Sequence, residues 1–368
     1  MPTALLEATE HQARARVALT AALESGPSHA YLFRGPRGAG KRAAARALAA
    51  EILATGASDP EDARRRALLD PSPHPDLVWL APRGAQHLVE EVRERVIRAA
   101  AYRPFEGAKR VFVVEAAEAM RDESQNALLK TLEEPPAFVH LILLSSEPEA
   151  LLETISSRCQ AVEFAPLPAE VLEAELAGSG EAGAAEVAAA ARLAGGDLER
   201  ARLLLSPRGR ELRAEAERCV AAALAAELAA SPWKQVLEEA EGAGADVEEE
   251  TRATVEEEAK AGLKRTAREI SDESKRAGRR RRTEILDLGL ELCALWLRDL
   301  AALASGAEEV VFNRDRLDVL RAQTADLDPG RARRGAELVQ DTRRSLDLNV
   351  SEELALEALF FRLERLFS

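Results

Sequence analysis

The sequence predicts an α/β domain built on a doubly wound parallel sheet, followed by a small helical domain and a C-terminal helical bundle. Two observations carry this prediction: strand-like apolar runs alternate with helical segments in the first part of the chain, and strand signals vanish after Pro168. A chain of 368 residues is too long for one ordinary core. We therefore expect domains at 1–165, 166–206 and 207–368.

The elements of the first domain follow in order. A short apolar run, Tyr31 to Phe33, leads into a Gly-rich segment, and "RAAARALAAEILA" then has strong helix propensity. "PDLVWLAP" is a second short strand bounded by prolines, and "HLVEEVRERVIRAAAY" is an amphipathic helix. "KRVFVVEAA" and "FVHLILLSS" are continuous apolar runs, which suit strands buried on both faces of a parallel sheet.

The segment "RDESQNALLKTLEEPP" predicts a helix of this domain that ends in two prolines. Asp122 as N-cap and Gln125 three positions later form a capping-box pattern. Charged Lys130, Glu133 and Glu134 are left at the outer end of the helix. They are either a solvated helix terminus or a surface that faces another subunit.

After Pro168 the chain is Ala-rich or charged and reads as helices. "GSGEAGAA" and "LLLSPRGREL" are expected to be a loop and a linker around the small domain at 166–206. The remainder includes a long charged stretch, Asp246 to Arg282, and then the apolar helix "ILDLGLELCALWLRDLAAL". That helix is apolar on more than one face, so it must be buried within its own bundle or against partner helices.

Composition narrows the class of protein. The net charge of −14 argues against a chain that coats nucleic acid by itself. The run Arg279 to Arg282 either touches DNA phosphates or begins a solvated helix, and the acidic residues near it favour the second reading. The three cysteines are far apart and support neither a zinc cluster nor a disulfide framework. No signal peptide or membrane span is evident, so we expect a cytoplasmic protein.

The Gly-rich segment "GPRGAGK" has the spacing of a phosphate-binding loop between a strand and a helix. Its residues are Gly35, Pro36, Arg37, Gly38, Ala39, Gly40 and Lys41. The glycines let backbone N–H groups converge on phosphate oxygens at the positive end of the following helix, and Lys41 would reach the β- and γ-phosphates. The alternative is a Gly-rich turn that only tightens a strand-to-helix junction.

Hydrolysis needs more than this loop. A Ser or Thr after the lysine normally holds Mg²⁺, and an acid at the end of a later strand assists it. This chain has Arg42 after the lysine, and "VFVV" is followed by Glu115 and Ala116. Arg42 cannot ligate a cation, and Ala116 lacks the carboxylate that would activate water. The loop is therefore expected to bind nucleotide or phosphate weakly at most, without hydrolysis and without a required cofactor.

Four blocks occur in a characteristic order: "GPRGAGK", "HPDLVWL", "NALLKTLEEPP" and "SSRCQ". Over roughly residues 1–205 the chain resembles the delta-prime subunits of bacterial DNA polymerase III, which belong to the clamp loader and to the AAA+ superfamily. The resemblance implies a subunit of a DNA-directed DNA polymerase (nucleotidyltransferase) holoenzyme, and Arg42 and Ala116 lead us to expect that its own ATPase is absent. The resemblance also implies that the AAA+ P-loop α/β domain is followed by a helical lid domain at 166–206 and a helical collar domain at 207–368. The collar would assemble into a ring-like pentamer with gamma/tau and delta subunits as partners, and sliding clamp and primed DNA would be partners of the whole complex.

The resemblance assigns one catalytic residue, Arg158 in "SSRC". In such subunits this arginine is a finger that reaches ATP bound on the neighbouring subunit; taken alone, Arg158 is a basic loop residue suited to a surface salt bridge. Glu199 stands where the motor subunits of the family have a sensor arginine, with Arg200 one place later. The four-cysteine zinc module found in many relatives is absent after the loop helix, so no zinc is expected.

Two other functions remain as alternatives. One is an ATP-hydrolysing motor of the gamma/tau kind, against which Arg42, Ala116 and Glu199 argue. The other is a stand-alone P-loop NTPase or phosphotransferase, which would need a metal ligand and an acid in this chain. The preferred prediction is a non-hydrolysing clamp-loader subunit.

Overall fold

A computed structural model describes residues 2–82, 86–177, 182–260, 266–325, 327–346 and 350–368. The chain divides into two compact units, Met1–Pro168 and Ala169–Ser368. The predicted division of the second unit into a lid at 166–206 and a collar at 207–368 stays a prediction. Part of the loop expected at "GSGEAGAA" lies outside the described residues. Among those residues, no helix is both long and apolar enough to cross a membrane.

The N-terminal unit alternates helices with five strands. The strands are β1 (Ala30–Arg34), β2 (Leu77–Leu80), β3 (Arg110–Val114), β4 (Val139–Ser145) and β5 (Gln160–Glu163). The helices are α1 (Thr3–Ala8), α2 (Ala13–Ser25), α3 (Lys41–Ala54), α4 (Pro60–Leu68), α5 (Val89–Val92), which continues as a π-helical segment over Arg93–Arg98, α6 (Asp122–Glu133) and α7 (Glu153–Ser156).

The five strands form one parallel sheet in the order β2-β3-β4-β1-β5. Both faces are covered: one core includes Tyr31, Phe33 and Leu48, and the other includes Leu32, Phe112 and Leu128. The predicted doubly wound α/β fold is therefore confirmed. The edge strand β5 was not predicted individually, because only Val162 of its four residues is buried and its sequence has no continuous apolar run.

The predicted capping box of α6 is wrong. The N-cap is Arg121, and Asp122 is already the first helical residue, without a side-chain cap. Gln125 is buried instead: its amide donates to the Met120 carbonyl at 2.9 Å, and its carbonyl accepts from the Leu152 N–H at 2.8 Å. The Gln125 amide is thus paired with the segment before α6 and with the residue before α7, which satisfies its buried polar groups without a capping box.

The described residues of the C-terminal unit contain helices and no strand. The helices are α8 (Ala169–Leu176), α9 (Ala184–Leu193), α10 (Leu198–Leu205), α11 (Pro207–Leu224), α12 (Trp233–Lys260), α13 (Ala267–Ala304), α14 (Leu317–Gln323), α15 (Pro329–Leu346) and α16 (Glu352–Phe367). The charged stretch that follows Thr266 and the apolar segment after Arg282 are one 38-residue helix, α13.

The apolar half of α13 is buried within its own unit. Leu288, Leu292, Trp296 and Leu300 are each at most 6% exposed, and the Trp296 indole donates to the Gln323 side chain at 2.9 Å. The sequence left open whether this helix packs in its own bundle or against a partner. In the structure, helices of the same unit cover most of the apolar half of α13.

Glycines set the spacing between α12 and α13. A Cβ on Gly278 would lie 2.7 Å from the Gly244 carbonyl oxygen and 2.9 Å from the Glu248 Cβ, and a Cβ on Gly244 would lie 2.8 Å from the Gly278 oxygen. Contacts this short with backbone atoms require the helices to separate. The close approach of the two long helices therefore depends on the absence of a side chain at both positions.

We predict that Gly278→Ala destabilises the C-terminal unit by about 1–3 kcal/mol, the usual cost of overpacking. Scanning calorimetry of the full chain should show the transition of this unit at lower temperature. Gly242→Ala, also on α12, is the matched control, because its Cβ would meet only the Arg208 guanidinium at 3.8 Å. The control should be neutral or stabilising, since Ala is the better helix former. Equal effects of both substitutions would contradict the packing argument.

Candidate functional site

The predicted phosphate loop lies between β1 and α3, at the carboxyl end of the sheet. Gly35, Gly38 and Gly40 all have positive φ values, of 145°, 67° and 87°. A Cβ on Gly35 would lie 2.0 Å from the Phe164 carbonyl oxygen, so only glycine fits against the segment after β5. The loop therefore has the glycine-dependent backbone that the sequence predicted.

Lys41 is only 9% exposed and lies inside the loop. Its ammonium donates to the carbonyl oxygens of Gly35 and Pro36, the latter at 2.6 Å, and lies 3.4 Å from the Ser146 hydroxyl at the end of β4. A phosphate entering the loop would have to compete with these carbonyls for the ammonium.

A buried glutamine braces the loop, and the sequence reasoning missed it. The Gln12 amide donates to the Ala39 carbonyl at 3.0 Å and to the Ala165 carbonyl at 2.7 Å, while its oxygen accepts from the Ala165 N–H at 2.9 Å. These three bonds tie the loop to the chain beyond β5. No local pattern around Gln12 signals this role, because its partners are far away in sequence.

Arg42 lies where a metal-holding hydroxyl would be expected, and it is paired with the acid of the same site. Its Nε is 2.6 Å from the Glu115 Oε1, and its Nη2 is 3.1 Å from the Asp70 Oδ2. The same Glu115 oxygen accepts a 2.6 Å hydrogen bond from the Trp79 indole. The acid that would orient a metal-bound water is therefore held by a guanidinium and an indole.

A second arginine reinforces this cluster. The Arg46 guanidinium lies 4.4 Å from the centre of the Trp79 ring and 2.9 Å from the Asp70 Oδ1. Burial lowers the pKa of Arg46, and the nearby Asp70 carboxylate opposes that shift. Two guanidinium charges thus face the Asp70 and Glu115 carboxylates beside the loop, which makes this position unfavourable for a divalent cation. Of these residues, the sequence reasoning singled out only Arg42 and Glu115.

Arg158 lies at the other end of the sheet. It precedes β5, whose first residue Gln160 is paired with Tyr31 near the start of β1. The Arg158 Nη2 is 2.7 Å from the Glu133 Oε1, and its Nη1 donates to the Thr154 carbonyl at 2.9 Å. The arginine is therefore held by the ends of α6 and α7.

The neighbouring thiol is structural rather than reactive. Cys159 packs against the core that contains Leu128, and burial raises the pKa of its thiol to about 12. Since the thiolate is the reactive form, a thiol with this pKa is inert near neutral pH. Of the neighbours Arg158 and Cys159, the guanidinium is therefore the candidate functional group.

The loop and Arg158 cannot act on the same phosphate within one chain. The loop follows the carboxyl ends of the strands, whereas Arg158 and Glu133 precede the amino ends of β5 and β4. The five residues of β1 separate the two ends by roughly 16 Å. One end of the domain therefore has a phosphate loop, and the other end presents an arginine.

The remaining predicted residues lie in the C-terminal unit. Glu199 is exposed in the first turn of α10, while the Arg200 guanidinium is 2.9 Å from a Glu291 carboxylate oxygen. The equivalence of Glu199 to a sensor position stays a prediction.

In the basic run, the Arg280 and Arg281 guanidinium groups pair with Glu284, and Arg282 pairs with Glu241 and Glu352. These ion pairs favour the structural reading of the run.

Comparison with known protein families bears on the same region. The family model described as "DNA polymerase III, delta subunit" matches residues 11–168, which contain both the loop and Arg158. Residues 11–168 are therefore similar to the domain that this family model describes. The rest of the chain lies outside that match.

Curated relatives agree with the family match. The chain is 34% identical over 154 residues to the DNA polymerase III subunit delta' of Bacillus subtilis, covering 40% of this chain and 46% of that protein. It is 40% identical over 151 residues to the delta' subunit of Pseudomonas aeruginosa, covering 38% and 44%. It is 36% identical over 167 residues to the gamma/tau subunit of Mycobacterium tuberculosis, covering 43% and 28%. The chain thus spans less than half the length of each.

Proposed function

We propose that the protein is a non-hydrolysing, delta-prime-type subunit of a clamp loader, and that it supplies Arg158 in trans to ATP bound on a neighbouring gamma/tau-type subunit. The observation that carries the proposal is the position of Arg158 at the end of the sheet opposite its own loop. A domain with a loop at one end and an arginine at the other suits a head-to-tail ring, in which each interface joins unlike surfaces.

The chemistry of Arg158 is consistent with this role. Its guanidinium has five N–H donors, and Glu133 and Thr154 each accept from one nitrogen. The remaining donors are enough for a bidentate contact with phosphate oxygens, which lysine cannot reproduce. The Arg158 side chain is 36% exposed, so a partner can reach it.

The chain's own loop has a lesser role in this proposal. The positive-φ glycines and Lys41 are suited to weak binding of ATP or phosphate, whereas the Arg42–Glu115 pair disfavours Mg²⁺. We propose that the protein needs neither a bound nucleotide nor zinc, and that it works in the cytoplasm with delta and gamma/tau subunits, the sliding clamp and primed DNA. A gamma/tau-type motor or a stand-alone NTPase would need the metal position that Arg42 occupies.

We predict that the isolated protein has no ATPase activity and that any ATP binding is unchanged by Mg²⁺ or EDTA. The reason is that the guanidinium of Arg42 already neutralises Glu115. Isothermal titration with ATP, with and without Mg²⁺, measures the binding, and Lys41→Ala is the control that should remove it. Multiple turnovers at about 1–10³ per second would show a working enzyme and contradict this prediction.

We predict that the C-terminal helices carry the assembly contacts. Although most of α13 is buried, α16 leaves an apolar stripe exposed: Leu354 is 63% exposed, Phe361 is 48% exposed and Ala358 lies between them. These positions are spaced for one helix face. Leu354→Glu with Phe361→Glu should weaken assembly measured by sedimentation, whereas Val17→Glu in the N-terminal unit should not. Full assembly of the double variant would show that the assembly contacts do not include this stripe of α16.

We predict that Arg158→Ala leaves folding and assembly intact but slows ATP hydrolysis by the assembled loader. A finger typically contributes about 10³–10⁵ in rate at the one site it serves. Because other ATP sites would keep their fingers, total turnover should fall only in part, and clamp loading on primed DNA should fall further. Arg158→Lys should restore little activity. Unchanged rates in both assays would show that Arg158 only forms a surface ion pair and is not a finger.

A further inference from the structure

The outer end of α6 and the segment after α7 meet in one ion pair. Glu133 is the last residue of α6, and its carboxylate oxygen lies 2.7 Å from the Arg158 Nη2. Nothing in the sequence linked these residues, which are separated by α7 and by β4. The structure brings the "LEEPP" and "SSRC" segments together at the amino end of the sheet.

Both partners of Arg158 are anchored to the core. On α6, Leu128 and Leu132 are at most 2% exposed, and on α7, Ile155 is fully buried. Pro135 ends the helix directly after Glu133 and Glu134. The helices that carry the Glu133 carboxylate and the Thr154 carbonyl are therefore anchored, and both groups accept from the Arg158 guanidinium.

We propose that Glu133 is the positioning residue for Arg158, an inference that rests on the proposed finger. Glu133 and Thr154 each accept from one nitrogen of the guanidinium, so further N–H donors remain for a partner. The ion pair is half-exposed, with side-chain exposures of 36% for Arg158 and 49% for Glu133, so it orients the arginine without removing it from solvent. Holding a catalytic group in the productive geometry before the partner arrives accelerates a reaction through orientation.

Glu134 provides a matched control. It is the next residue, it is exposed and it carries the same charge. Any effect of net charge on ring assembly or on the approach of ATP should be the same for Glu133→Gln and Glu134→Gln. Only the first substitution changes an acceptor of Arg158.

The experiment measures kcat and KM for ATP in the fully assembled loader that contains wild-type or variant chain. Glu133→Ala should lower kcat roughly tenfold at the site served by Arg158, within the range that misplacement of a catalytic group produces, and should leave KM unchanged. Glu133→Gln keeps an oxygen acceptor, so it should retain more activity than Ala. Glu134→Gln should match wild type.

A double variant separates this inference from the proposed function. In the Arg158→Ala background, Glu133→Gln should have no further effect, because there is no guanidinium left to orient. If Arg158→Ala slows the loader but both Glu133 variants match wild type, the positioning role is wrong and the finger stands. If Glu133→Ala accelerates hydrolysis, the carboxylate competes with phosphate, and the inference is overturned. If Arg158→Ala itself has no effect, the proposed function fails, and this inference fails with it.

Discussion

The parallel direction of the five strands determines at which end of the domain the phosphate loop and Arg158 lie. Because all five strands run in the same direction, everything that follows a strand lies at one end of the domain and everything that precedes a strand lies at the other. The phosphate loop, Glu115 and Ser146 follow β1, β3 and β4, whereas Glu133 and Arg158 precede β4 and β5. The parallel direction of the strands therefore places the phosphate loop and Arg158 at opposite ends of one domain.

The end of the domain with the phosphate loop has the backbone of a nucleotide site, but its acid is paired with an arginine. Gly35 and Lys41 keep the geometry of a phosphate loop, while the Arg42 Nε, 2.6 Å from the Glu115 Oε1, neutralises the acid that a metal would need. In this account the chain keeps a fold shaped by nucleotide chemistry, and its contribution to that chemistry comes from the opposite end.

Sequence reasoning recovered what depends on local pattern and missed what depends on distant contacts. The apolar runs of β3 and β4 and the glycine spacing of the loop are local signals, and the structure has these elements where they were predicted. The bonds from Gln12 to Ala39 and Ala165 and the pair between Glu133 and Arg158 join segments far apart in the chain, so no periodicity encodes them. The error at Asp122 has the same origin, because the Gln125 oxygen accepts from the Leu152 N–H, a distant partner that a capping pattern does not include.

We propose that Arg158 acts on a phosphate that is bound by the neighbouring subunit. The most direct measurement is a structure of the assembled loader with a non-hydrolysable ATP analogue and Mg²⁺. We expect the Arg158 guanidinium to lie within hydrogen-bond distance of the γ-phosphate bound on the adjacent subunit. We also expect Arg42 to stay paired with Glu115 and no metal to enter this chain's loop. A Mg²⁺-bound nucleotide in that loop, with Arg158 away from any phosphate, would contradict the proposal.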